Sequence, residues 1–121
     1  MEPLIINTAL TGMIPMRKDT PHVPINPDEI IADVKRCRDA GATIVHLHAR
    51  EPDGEPTYRK EIYGEIFQGV REECPELMIS GSCSGRIYGE FWQRSEVLDL
   101  CPEFGSLTLG SLNFPKTASV N

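Results

Sequence analysis

Short apolar runs alternate with longer segments of helical period along the chain, and each run ends in a polar or glycine-containing turn. Residues Leu4 to Leu10 are apolar and rich in β-branched side chains, and they predict a first strand ending at Thr11-Gly12. A polar loop follows, with Pro15, Pro21, Pro24 and Pro27 beside Arg17, Lys18 and Asp19. Structureless loops of this length are uncommon in compact domains, so it is expected to serve function, as a lid over a substrate. Asn26-Pro27-Asp28-Glu29 then reads as a helix start: Asn26 caps, Pro27 takes the first helical position, and two carboxylates face the positive end of the dipole. Ile30, Ile31, Val34 and Cys37 form one apolar stripe, with Asp33, Lys35, Arg36 and Arg38 on the wet side and Gly41 as the stop.

The run Ala42 to His48 predicts a buried second strand, and Ala49 to Gly54 a turn after it. Lys60 to Cys74 returns to helical period through Ile62, Ile66, Phe67 and Val70, and Pro75 ends it. Leu77 to Ser82 predicts a third strand that runs into the small polar loop Cys83-Ser84-Gly85-Arg86. A third helix is expected within Glu90 to Leu98, with Phe91 and Trp92 as packing residues, and a fourth strand over Ser106 to Gly110. The resulting order βαβαβαβ implies parallel strands with helices outside, and in such sheets chemistry gathers at the strand C-termini. Thr11-Gly12, His46 and His48, Ser82 to Gly85, and Thr108 with Gly110 would all open onto that one rim. No tandem repeat, low-complexity tract or interdomain linker interrupts the pattern, so a single domain is expected over residues 1–121.

His46 and His48 are the strongest chemical signal, because residues i and i+2 of a strand share a face and their imidazoles would converge. Convergent imidazoles at a strand exit suit a divalent metal, although such pairs also occur as packed side chains with no ligand. Ser82, Ser84 and the backbone at Gly85 would suit a substrate carboxylate at the start of a following helix, with Thr108 adding a hydroxyl; Ser and Gly also simply make turns. Arg50 could clamp a carboxylate or pair with Asp53, but a surface role fits as well, and it stays outside the expected site. His22 could be a further ligand, yet a loop histidine is more often solvated.

Composition narrows the partners. With 40% hydrophobic and 25% charged residues the 121-residue chain is an ordinary globular domain, and its formal net charge of −6 disfavours nucleic acid or an anionic membrane. Cys37, Cys74, Cys83 and Cys101 include no CxxC pair and read as reduced thiols of a cytoplasmic protein. No export signal and no apolar run long enough to span a bilayer is evident.

Three blocks carry a family resemblance: Ala9 to Gly12, Val45 to Arg50 with Asp53-Gly54 after it, and Ser106 to Phe114. In this order they make the chain resemble the N-terminal part of a β-keto acid cleavage enzyme of the 3-keto-5-aminohexanoate type. The resemblance implies a (β/α)8 barrel that holds zinc and condenses a β-keto acid with acetyl-CoA, giving acetoacetate and a CoA ester of the remaining acyl portion. It further implies that His46 and His48 are two zinc ligands and that the assembly is a homotetramer. The third ligand, a glutamate, and the arginine and aspartate used in proton transfer and positioning belong to a later region of such barrels, so no catalytic residue is assigned here. A whole barrel takes roughly 250 residues, and the chain is therefore expected to be a fragment equivalent to half of one. Some members carry an acidic residue after the first Thr-Gly, where this chain has Met13-Ile14. The competing expectation is a non-catalytic half-barrel that associates with itself through its open edges.

Overall fold

The computed structural model describes residues 2–107 and, as backbone, Leu112–Phe114 and Thr117–Ser119. In chain order the elements are β1 (Asn7–Ala9), α1 (Pro27–Asp39), β2 (Ile44–Leu47), β3 (Ala49–Arg50), β4 (Pro56–Thr57), α2 (Lys60–Glu73), β5 (Met78–Gly81), α3 (Phe91–Ser95), a 3-10 turn (Glu96–Leu100), β6 (Phe104–Gly105), β7 (Leu112–Phe114) and β8 (Thr117–Ser119). Strands β1, β2, β5 and β6 form one sheet in that spatial order, and every neighbouring pair is parallel. Two short antiparallel pairs, β3 with β4 and β7 with β8, lie outside it. The expected βαβαβαβ alternation is therefore the architecture found: a partial (β/α)8 barrel, parallel strands inside and helices outside.

The helices begin where local chemistry places them. Asn26 Oδ1 accepts from Glu29 N at 2.9 Å, and Glu29 Oε2 accepts in return from Asn26 N at 3.3 Å, a reciprocal capping box. Ile30 and Val34 are fully buried on the stripe the periodicity marked, whereas Lys35 and Arg38 are drawn from the solvent side toward α2. Lys35 Nζ donates to Glu73 at 2.7 Å, and Arg38 donates to Glu73 O at 2.8 Å. In α2, Tyr63, Ile66, Phe67 and Val70 are buried against the outer face of the sheet. Each such apolar side chain stabilises the fold by about 1.5–3 kcal/mol through removal of its surface from water.

The sheet has two unlike faces. Val45, Leu47 and Ile79 point toward the helices and are buried to 1% exposure or less. On the other face the register aligns Asn7 with Ile44 and Met78, and Ala9 with His46, Ser80 and Phe104. Met78 and Phe104 are 37% and 45% exposed there.

Four expectations are corrected. The first strand is confined to Asn7–Ala9, and Leu4 and Ile5 before it stand 79% and 70% exposed. Ala49 and Arg50 are not part of the turn; they pair with Thr57 and Pro56, and the turn is displaced to the residues between. A strand pairs with β5 at Phe104–Gly105, before the expected start at Ser106: the chain leaves the 3-10 turn through Cys101 at φ 50°. Ser106 N still donates to Gly81 O at 3.2 Å, and Thr108 to Gly110 lie outside the described residues. Finally, Phe91 and Trp92 do not pack in the core; α3 is only five residues long and leaves them 81% and 59% exposed, Trp92 resting edge-on against Tyr58.

Replacing Asn26→Ala removes one acceptor of the capping box and is expected to cost about 1 kcal/mol in urea unfolding, whereas Ile66→Ala opens the core and costs about 2–5 kcal/mol. Equal effects of the two substitutions would contradict this division between cap and core.

Candidate metal centre and substrate cleft

The two histidines reach one face because β2 is hydrogen-bonded in register on both sides. Ala9, His46 and Ser80 share one level of the sheet, and His48 follows at the exit of the strand. Their rings stand 4.8 Å apart, centroid to centroid, with planes 83° from parallel. His46 is half-buried and its Nδ1 lies 2.9 Å from Ser80 Oγ, which fixes the ring and leaves Nε2 for another partner. His48 is 8% exposed, and its Nδ1 is buried without a hydrogen-bond partner among the described residues.

Burial disfavours the charged form of both rings. The pKa of His46 is lowered by desolvation, and that of His48 falls to about 4 through desolvation first, then the proximity of His46 and Arg50. At neutral pH both imidazoles are therefore neutral and carry free lone pairs. A convergent neutral pair, one ring held by a hydroxyl and the other with an orphaned buried nitrogen, is a donor set suited to a zinc-like cation. Among the described residues no group of three or more His, Cys, Asp or Glu side chains gathers. His22 is exposed in the β1–α1 loop, where it borders a surface hollow with Arg17, Pro24 and Glu29.

Ser82 and Ser84 line a narrow cleft at the exit of β5, about 10 Å³ and so roomy enough for about one water, together with Met13, Thr57, Tyr63 and Arg94. Ser82 is 7% exposed and its N–H donates to Leu47 O at 3.2 Å, which ties this loop to the histidine strand. Ser84 Oγ accepts from Arg86 N at 3.3 Å in a local turn. No helix starts at Gly85; a turn follows, and α3 begins only at Phe91, so the expected helix N-terminus is not what faces this loop. Gly85 lies against the Arg94 guanidinium, whose Nε donates to Cys83 O at 3.1 Å; a Cβ at Gly85 would come within 2.9 Å of Arg94 Cζ, the movable end of a flexible side chain. Thr108 lies outside the described residues.

Three residues outside the expected site shape it. Arg50 is the largest fully buried side chain, at 2% exposure, and neither a surface residue nor a partner of Asp53. It donates to Gly12 O at 2.8 Å, Pro15 O at 3.0 Å and Gly54 O at 2.9 Å. Tyr63 is buried beside the cleft, and its place at helical spacing from Ile66, Phe67 and Val70 was the available signal. Arg94 had none, because it acts on Gly85 and Cys83 from a separate element.

The β1–α1 loop is correspondingly anchored and not a free lid. Thr11 Oγ1 donates to Pro24 O at 3.1 Å, Arg17 pairs with Glu29, and Arg50 holds its middle.

Parallel strands with outer helices and polar residues at the strand C-termini define the fold class, part of a (β/α)8 barrel. The beta-keto acid cleavage enzyme family matches over residues 3–121, and the chain belongs to that family. It is 37% identical over 114 residues to a 3-oxoadipate:acetyl-CoA acetyltransferase of Cupriavidus necator, covering 94% of this chain and 40% of the relative. It is 38% identical to a 3-keto-5-aminohexanoate cleavage enzyme of Acetoanaerobium sticklandii, with 94% and 42% covered. The chain thus spans about two fifths of the length of these curated relatives. Among solved structures it is similar to ObcA in ternary complex with a C4-CoA adduct and oxalate, at TM-score 0.69 and 24% identity, over 79% of this chain and 25% of that one, a likeness of fold.

Because the folded-state pKa of His48 lies below its ordinary 6.5, protonation favours the unfolded chain. Stability is full above about pH 6.5 and lost as pH falls toward 4; in chelator, about 2 kcal/mol should disappear between pH 7 and 4.5 in urea unfolding, and His48→Gln should flatten that slope. An unchanged slope in the variant would contradict the burial of a neutral ring.

Proposed function

We propose that His46 and His48 hold a zinc ion and that the chain forms the metal and carboxylate end of a site that cleaves a β-keto acid with acetyl-CoA, giving acetoacetate and an acyl-CoA. The carrying observation is the same-face imidazole pair at the exit of β2, with His46 tied to Ser80 and His48 kept neutral by burial. The names of the relatives, an acetyl-CoA acetyltransferase and a keto acid cleavage enzyme, support the reaction class. When bound, zinc supplies a Lewis acid for the keto and carboxylate oxygens of the substrate.

The chain's own residues have distinct tasks. Ser80 holds His46 in orientation, and the dry surroundings of His48 keep its proton off so that it can act as a donor. Ser82, Ser84 and the Gly85 backbone receive the substrate carboxylate, and Thr108 adds a hydroxyl. Buried Tyr63 and half-buried Met13 form part of the lining of that cleft. Proton transfer and the third ligand come from the later part of the barrel, which the active form must include. We assign the protein to the cytoplasm, where the free thiols of Cys37, Cys74, Cys83 and Cys101 stay reduced, and to a homo-oligomer.

The partly exposed inner face, with Met78 and Phe104, favours one second function: a non-catalytic half-barrel that associates with another copy. Zinc stoichiometry and turnover separate the two. With the rest of the barrel supplied, His46→Ala and His48→Ala should each lose bound zinc and at least about 10²-fold in turnover of a β-keto acid with acetyl-CoA. Turnover that persists in zinc-free protein or in both variants would overturn the proposal, and a zinc-free, self-associated chain would support the second function.

A further inference from the structure

We infer that Arg50 is the positioning residue that makes the β1–α1 loop a wall of the substrate cleft. This role rests on the cleft being a β-keto acid site.

A single guanidinium, 2% exposed, gathers carbonyls from two separate loops: Gly12 and Pro15 after β1, and Gly54 in the β3–β4 turn. Its Nη1 also lies 3.3 Å from Met16 Sδ. Only the flat, multi-donor fork of arginine can serve acceptors in these directions at once; a lysine offers a point charge from the same depth. Arg50 sits two residues beyond His48 on the segment that continues the histidine strand, so the loop is registered directly to the imidazole pair.

Gly12 completes the clamp. Its φ of +68° is the left-handed conformation that turns its carbonyl to Arg50, and an added Cβ would meet nothing closer than Pro15 Cδ at 3.6 Å. A methyl there is resisted by backbone strain and not by space. Met13, between the two clamped carbonyls, is the loop's contribution to the cleft with Ser82 and Ser84. Release of the clamp therefore withdraws a wall of the substrate pocket without touching either imidazole.

The test uses Arg50→Lys and Gly12→Ala with the rest of the barrel supplied. Each should raise KM for the β-keto acid by about tenfold while kcat stays within about threefold and bound zinc per chain is unchanged; the double variant should be no worse than about threefold beyond either single one, since both break the same contact. Trypsin nicking after Arg17 or Lys18 should quicken by about tenfold in both variants, with other sites unaffected. If Arg50→Lys does not fold, Gly12→Ala alone decides. Unchanged KM, a fall confined to kcat, or unaltered nicking would overturn the assignment. Should the wild-type protein turn over no β-keto acid, the proposed function fails and the nicking comparison still decides whether Arg50 clamps the loop.

Discussion

Hydrogen bonding of β2 along both edges, to β1 on one side and β5 on the other, is the constraint from which the site follows. A strand held on two sides has one register, and its side chains must alternate between two environments. Val45 and Leu47 go to the helices, where Ile66, Phe67 and Val70 bury them, and this leaves His46 and His48 no choice but the opposite face. A slip by one residue would drive two imidazoles into the apolar layer and two aliphatic side chains onto the rim. The energy that orients the histidines is thus the burial of their neighbours, of the order of several kcal/mol, far more than any hydrogen bond the rings themselves make.

The same economy of design extends to the loops. Rim segments are the mobile part of most barrels, but among the described residues the loops after β1 and β5 are each held by a polar side chain acting on backbone. Thr11 and Arg50 tie down the loop after β1, and Arg94 donates to Cys83 O in the loop after β5. Carbonyl acceptors suit this purpose, since the Nη1 and Nη2 groups of Arg50 donate to them without the desolvation cost that a buried carboxylate would carry.

What could be read from the chain was whatever depended on local chemistry. The cap at Asn26, the stripe through Ile30 and Val34, the strand through Val45 and Leu47, and the alternation of strands and helices all follow from neighbours within a few residues. The shared face of His46 and His48 was legible for the same reason. Arg50 was not, because its acceptors lie up to 38 residues away and are main-chain oxygens, which leave no trace in side-chain pattern. The start of β6 was shifted by the 3-10 turn before it, and the exposure of Phe91 and Trp92 depends on how short α3 is, which no periodicity over so few residues can reveal.

Zinc K-edge absorption on the loaded protein probes the central claim most directly, because it reads the donor atoms themselves. The account requires two imidazole nitrogens at about 2.0–2.1 Å, with their outer-ring scattering, and the loss of one imidazole when either His46 or His48 is replaced. A zinc shell of oxygen or sulfur alone, or one unchanged by both replacements, would contradict it.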